Sequence, residues 1–318
     1  MKTSLIIPSF KRPDTLIRCL NSVFKQTIKP DEIIIVLHQE DKESFKKIKE
    51  NFSNECKTGY IKIVKVNKIG TDVFYQKGIK EAKWDILFFT DDDAILPPKW
   101  IEKTLENYKK YPYVGGCGGR DIVIKTDGSI IHKKTKYVGE FRYLFHFVGR
   151  NHLFLYPPRK KFVHCLKGVN MSLKRKYLKD LEFPSNFFEK NMHYGIEFEI
   201  CFWVRLKKKR KLLYDPLNVV FHKVSPRPKE LFKRNDLIIL KTSMANKTFI
   251  FLRYLTLPQK ILFIIFSFLI GNLSQPGFLL IFLSPYLRDK KVPLKILHTI
   301  KGLSKGFFNY LRYLFSKS

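Results

Sequence analysis

An α/β fold, with a mostly parallel central sheet flanked by helices and a helical C-terminal tail, is predicted by three observations. Short apolar runs alternate with segments of helical period through the first hundred residues, and each run ends in a polar cluster. From about residue 237 the composition turns basic and apolar with almost no acid. Strand and helix in alternation imply parallel pairing through right-handed crossovers. Ligands on such sheets sit at the carboxyl ends of the strands.

Leu5-Ile6-Ile7, closed by Pro8-Ser9, reads as the first buried strand. Pro13 opens a helix, because proline suits the first turn and Leu16, Ile17, Leu20, Val23 and Phe24 recur at helical spacing. Ile33 to Leu37 form the second strand, and Phe45 and Ile48 lie in the helix after it. Tyr60 to Val66 alternates with lysines, as an edge strand does. Residues 71–82 are helical and Ile86 to Phe89 form the fourth strand. The polar clusters at the strand ends are Ser9 to Arg12, His38 to Asp41, and Asp91-Asp92-Asp93.

Residues 113–235 read less regularly. Gly115-Gly116-Cys117-Gly118-Gly119 is expected to bend sharply. No Gly-Lys-Ser/Thr follows it and no G-x-G-x-x-G register exists, which argues against a nucleotide loop. Gly168-Val169-Asn170-Met171 reads as a turn over a pocket.

The chain has 318 residues, 60 Lys+Arg against 28 Asp+Glu, and a formal charge of +32. A hydrophobic share of 45% excludes a disordered polybasic protein. The charge favours phosphates, nucleotides or an anionic membrane, and the recognisable nucleic-acid-binding signatures are absent. Five dispersed cysteines without a C-x-x-C suit a reducing compartment rather than a disulfide scaffold or zinc ribbon. The first residues lack the apolar core of a signal peptide, so a cytosolic N-terminus is expected.

After Asp236 there are twelve Lys/Arg against one acidic residue, Asp289, and no charge between Lys260 and Arg288. Ile261 to Ile270 and Phe278 to Leu283 are apolar, separated by a Gly/Pro-containing break. Spanning a bilayer takes about 20 apolar residues. Two short helices lying in the interface therefore fit better, with a single span over 261–287 as the alternative. In the last helix Ile300, Leu303, Phe307, Leu311, Leu314 and Phe315 are expected on one face, and Lys301, Lys305, Asn309 and Arg312 on the other. Packing of that helix on the domain is the alternative to contact with an anionic membrane surface.

Thr90-Asp91-Asp92-Asp93 directly follows an apolar strand. Residues i and i+2 of an extended segment point the same way, so Asp91 and Asp93 present two carboxylates to one side. Hard oxygen ligands suit Mg2+ or Mn2+, ions that bridge to substrate phosphates. Adjacent acids repel unless a cation sits among them. A solvated loop is the alternative.

These residues, with Ser4 to Pro13, Leu20 to Thr27, Asn67, Gly70, Gly78-Ile79, Gly168 to Ser172, Glu197 to Arg205, Tyr214-Asp215-Pro216 and Val220 to His222, resemble family-two glycosyltransferases of the GT-A fold. The resemblance covers roughly residues 3–227 in the correct order, and the segment from Phe221 to Arg227 is similar to a bacterial subgroup with a membrane-associated tail. It implies a Rossmann-like nucleotide-sugar-binding sheet and inverting sugar transfer from a nucleotide-activated donor. It implies a catalytic domain at 1–236, divided into a nucleotide-sugar-binding half at 1–95 and an acceptor half at 96–236, and a membrane-associating region at 237–318. Pro8, Ser9, Lys11, Arg12, Gln39, Asp91 and Asp92 would bind the nucleotide sugar. Asp91, Asp93 and His222 would hold Mn2+ or Mg2+. Glu197, or alternatively Glu199, would be the general base, and Gly168, Asn170, Met171 and His193 would line the acceptor and donor pocket.

The sequence departs from the family pattern in places. After the second strand stands Val36-Leu37-His38-Gln39-Glu40-Asp41 in place of the family's usual acidic segment, which leaves Gln39 or Asp41 to substitute at the nucleotide base. Phe74-Tyr75-Gln76 replaces a usual arginine-containing segment, and the Gln-x-x-Arg-Trp signature of processive synthases is absent. A single transfer to a glycan or lipid-linked acceptor, at the cytoplasmic face of a membrane, is the expectation. A catalytically degenerate scaffold and a basic nucleic-acid-binding protein are the alternatives.

Overall fold

The computed structural model describes residues 1–142, 146–188, 195–225, 236–282 and 291–316. His193, expected in the pocket, and residues 283–287 of the uncharged stretch lie outside the described residues. Two compact units divide the chain: Met1–Glu140, Val148–Phe183 and Ile200–Pro228 form the first, and Phe141–Phe147, Pro184–Glu199 and Lys229–Ser318 the second.

β1 (Thr3–Ser9), α1 (Pro13–Phe24), β2 (Glu32–His38), α2 (Lys42–Asn51), α3 (Ser53–Lys57), β3 (Ile61–Val66), α4 (Thr71–Glu81) and β4 (Ile86–Phe89) follow the alternation legible in the sequence. β5 (Ala94–Ile95), α5 (Trp100–Lys110) and β6 (Gly116–Ile124) come next. Short strands β7 (Lys134–Thr135), β8 (Glu140–Arg142), β9 (His146–Val148), β10 (Phe154–Leu155) and β11 (Lys161–Val163) lead to β12 (Met171–Lys174), α6 (Ile196–Phe202) and β13 (Leu212–Lys223).

The main sheet runs β11-β13-β6-β12-β4-β1-β2-β3, with β5 added on β13. β3, β2, β1 and β4 are parallel, as are β6 and β13, whereas β12 enters antiparallel between β4 and β6. β1 and β2 are almost wholly buried, as continuous apolar runs in a covered parallel sheet should be. On one face Leu5, Ile7, Ile33 and Ile35 join Leu16 and Leu20 of α1 and Trp100 of α5 in the core. Each such buried side chain contributes about 1.5–3 kcal/mol. All the strand ends that carry the Ser9, His38 and Asp91 clusters therefore open on one side of this sheet.

The glycine run does not bend, contrary to expectation; Gly116 to Gly119 open β6 in the middle of the sheet. The reason is close approach. A Cβ on Gly116 would stand 2.5 Å from a Leu173 methyl, one on Gly118 2.5 Å from the Asn170 carbonyl oxygen, and one on Gly119 would overlap the Asn218 carbonyl. β13 shifts register against β6 between Asp215 and Val219, and the absent side chain at Gly119 admits that bulge.

In the second unit α7 (Asp236–Tyr254) is followed by α8 (Leu257–Leu269), a hairpin of β14 (Gly271–Asn272) and β15 (Gln275–Pro276), a 3-10 turn at Phe278–Ile281, and α9 (Val292–Phe315). α8 begins with a reciprocal cap between Thr256 and Gln259. Among the described residues no helix is long and apolar enough to cross a membrane. The faces of α9 differ from those expected. Its buried stripe is Val292, Ile296, Thr299, Gly302, Leu303, Gly306 and Asn309, while Phe307, Phe308, Leu314 and Phe315 are exposed. Gly302 and Gly306 lie against the Lys241 and Ala245 carbonyls of α7, so close helix approach, not apolarity, selects the packed face. Asn309, expected on the polar face, is buried and donates to the Phe187 carbonyl at 2.9 Å.

Replacing Gly119 by alanine should force β6 and β13 apart and cost about 1–3 kcal/mol in urea denaturation. An unchanged midpoint would show that the strands do not approach as described.

Candidate active site

β4 ends in an apolar strand that must turn to reach β5. Asp91, Asp92 and Asp93 form that turn, closed by the Ala94 amide donating to the Asp91 carbonyl at 3.1 Å. β5 pairs antiparallel with β13, which sets His222 opposite Ala94. Ligand atoms of Asp91, Asp93 and His222 thereby lie within 4.8 Å of one another. His222 Nε2 is 3.2 Å from Asp93 Oδ1 and 4.0 Å from Asp91 Oδ2. The two carboxylates converge through a tight turn, not through an extended segment.

Arg12, in the turn between β1 and α1, pairs with both Asp92 oxygens and donates to Asp93 Oδ2 at 2.9 Å, while Ser9 Oγ donates to Asp92 Oδ2 at 2.7 Å. Burial pushes Asp92 up to about 7, and Arg12 and Ser9 pull the other way. Asp93 would also be raised by burial, but His222 and Arg12 hold it down at about 2. Lys11 occupies a left-handed conformation (φ 49°), and its amide donates to Asp41 Oδ2 at 2.6 Å. Asp41 also accepts from the Ser44 amide at 3.2 Å and so caps α2. Of the two residues expected to substitute at the nucleotide base, Asp41 is buried in these bonds. Gln39 is exposed beside a cleft lined by His38, Lys42, Phe45 and Lys65. Pro8 is half-buried at the end of β1.

Two residues of the site escaped the sequence reading. Asp121 of β6 is buried, 3.7 Å from His222 Nδ1, and pairs with Lys167. Burial disfavours the Asp121 charge, yet His222 and Lys167 lower it to about 2. Burial likewise opposes the His222 cation, but Asp121 and Asp93 outweigh it and raise the imidazole to about 9. A charged residue inside a glycine-rich strand was the available signal for Asp121. Asn170 ties three elements together. Its amide donates to the Arg120 and Asn218 carbonyls at 3.1 and 2.9 Å, and its oxygen accepts from Trp100 Nε1 at 2.9 Å. Gly168 and Met171 flank it and are buried, and Thr90 Oγ1 bonds the Val169 carbonyl at 2.9 Å, locking this turn to the carboxylates.

Glu197 and Glu199 lie in the first turn of α6, in the second unit. Glu197 is half-buried and Glu199 fully buried, the latter accepting from Arg253 Nη1 and Tyr254 OH at 2.5 Å each.

The profile of glycosyl transferase family 2 matches residues 4–181. The chain belongs to glycosyl transferase family 2. It is 26% identical over 123 residues to the glucosyl-dolichyl phosphate glucuronosyltransferase of Haloferax volcanii, covering 37% of this chain and 38% of that protein. It is 32% identical over 114 residues to the uncharacterized glycosyltransferase YwdF of Bacillus subtilis, covering 36% and 41%. The matched stretch thus spans about two-fifths of either relative's length. Among solved structures, GalNAc-T7 with UDP, GalNAc and Mn2+ aligns at a TM-score of 0.58 and 17% identity, covering 79% of this chain and 50% of that one. The mannosyltransferase PcManGT of Pyrobaculum calidifontis, with GDP-Man and Mn2+, aligns at 0.55 and 12%, covering 98% and 87%. These likenesses establish the GT-A fold for this family 2 chain.

The Asp91–Asp93–His222 group fits a divalent cation. It offers hard carboxylates and an imidazole whose ligand atoms converge on one point. Asp121 stands behind His222 as carboxylates do behind metal-ligating histidines.

The His222 pKa gives a signed pH dependence. Its folded value lies above the ordinary 6.5, so its stabilisation with chelator present is complete below 6.5 and is lost as pH rises through about 9. Melting temperatures in EDTA should show wild type losing its advantage over His222→Gln across that window. Parallel curves would refute the pairing.

Proposed function

We propose that this chain transfers a sugar from a nucleotide-activated donor, with inversion and in single steps, to a hydroxyl of a glycan or lipid-linked acceptor at the cytoplasmic face of a membrane. The observation that carries the reading is the convergence of Asp91, Asp93 and His222 at the end of a GT-A sheet. Mn2+ or Mg2+ held by these residues would supply positive charge to offset the departing diphosphate. Arg12 and Ser9 fix Asp92, which keeps the turn in shape and leaves Asp91 half-exposed toward the donor. Gln39 and the cleft beside it suit the nucleotide base.

Inversion needs one carboxylate to take the acceptor proton as that oxygen attacks the anomeric carbon opposite the leaving diphosphate. Glu197 is the residue we assign to this role. Glu199 lies at the other side of the helix and is fully buried, whereas Glu197 is half-buried. The Haloferax relative's name puts its substrate on dolichyl phosphate, which favours a lipid-linked acceptor. GDP-Man and UDP in the structural neighbours favour nucleotide-sugar donors.

The membrane address rests on the second unit. Leu257, Ile261, Ile265 and Phe268 of α8 and Phe308 and Phe315 of α9 are exposed, in a stretch with a single acidic residue. Apolar side chains interleaved with lysines suit an anionic leaflet.

A panel of UDP-, GDP- and dTDP-sugars with Mn2+ should reveal one donor that turns over, and Glu197→Gln should lower kcat about 100–10,000-fold with that donor. Full activity in this variant would move the base elsewhere, and no turnover or nucleotide binding with any donor would end the reading. In flotation, the full chain should rise with anionic but not neutral vesicles, and Phe308→Asp with Phe315→Asp should weaken capture. Equal flotation would remove the helical unit as the membrane contact.

A further inference from the structure

We propose that Glu199, Arg253 and Tyr254 form a positioning clamp that sets the rotation of the first turn of α6 and thereby aims Glu197. The inference rests on Glu197 being the proton acceptor. Every residue of the clamp belongs to the second unit.

Residues two apart on a helix stand about 200° apart around its axis, so fixing Glu199 fixes the direction of Glu197. Glu199 is fixed unusually well. Its Oε1 accepts from Arg253 Nη1 and from Tyr254 OH, both at 2.5 Å, and both donors come from the end of α7. The Arg253 guanidinium stacks over Tyr313, Tyr254 and Phe249, 4.8, 5.4 and 5.7 Å from the ring centroids, and its Nη2 donates to Tyr313 OH at 3.4 Å. α9 therefore holds the arginine that holds α6.

The helix start is constrained independently. Gly195 precedes α6 with φ 108°, a conformation side-chain-bearing residues rarely adopt, and a Cβ there would meet Ile250 of α7 at 3.3 Å. Phe198 packs against Phe141, Phe147 and Phe251 with centroids 5.1–6.2 Å apart. Packing of this kind would suffice to anchor a helix. A buried ion pair adds little net stability over apolar residues of the same volume, while Glu199 Oε2 is left without a hydrogen bond among the described residues. What the charged pair adds is direction, because short charge-assisted bonds tolerate little angular error. Direction matters for a base, where about 1 Å of misplacement costs about 100-fold in rate.

The test compares Arg253→Met, Arg253→Lys, Tyr254→Phe, Glu197→Gln and Asn309→Ala in the full chain. Asn309→Ala removes the bond to the Phe187 carbonyl in the same unit and controls for destabilisation alone. Arg253→Met should lower kcat about 10–100-fold with an unchanged KM for the nucleotide sugar and unchanged Mn2+ binding. Arg253→Lys should recover part of kcat, and Tyr254→Phe should fall between. Asn309→Ala should keep wild-type kcat despite a lower Tm. The clamp is overturned if Arg253→Met and Tyr254→Phe keep kcat within twofold of wild type while Glu197→Gln loses it; the base assignment then stands. It is overturned also if Asn309→Ala loses kcat as severely as Arg253→Met. Should Arg253→Met fail to fold, Tyr254→Phe and Arg253→Lys decide by the same criteria. Wild-type kcat in Glu197→Gln overturns both readings together.

Discussion

Three carboxylates on consecutive residues repel one another, and the guanidinium of Arg12 is what allows them to share one buried turn. It grips both oxygens of Asp92 and one of Asp93, so the middle acid is tied inward. The outer two are thereby left to converge with His222. Without that pairing, burial would push Asp92 and Asp93 further toward their protonated forms. The fork geometry of arginine matters here, since a lysine could not hold two carboxylates at fixed angles.

The same constraint explains the sheet. Arg12 reaches the turn because β1 and β4 are parallel neighbours and end together. His222 reaches it because β13 bulges past Gly119 before pairing with β5. Asn170 then ties β6, β13 and α5 at the point where the bulge would otherwise leave carbonyls unpaired. The glycines of β6 are thus part of the site's construction even though none of them has a side chain to offer.

Much of this was legible in the sequence. The strands and helices up to Phe89, apart from α3, and the edge position of β3 carry local signals of period and proline placement, whereas the Asp91–Asp93 segment was read as extended and is a turn closed by the Ala94 amide. The glycine run misled because a run of small residues marks either a bend or a close approach, and only the partner strands Met171–Lys174 and Leu212–Lys223 distinguish them. Asp121 carried only the signal of a charge beside a glycine run, and Lys167 carried none, because their role lies in a pairing across 46 residues. The faces of α9 were misread because apolar periodicity assumes that the packed face is the greasy one. Here Gly302 and Gly306 let two helices touch, and the phenylalanines are left outside.

We propose that Asp91, Asp93 and His222 hold one divalent cation. Electron paramagnetic titration of Mn2+ into the full chain, with a nucleoside diphosphate present, tests it most directly. The wild type should bind one ion per chain, and Asp93→Asn should lose it with the fold intact by circular dichroism. Equal binding by the two proteins would contradict it.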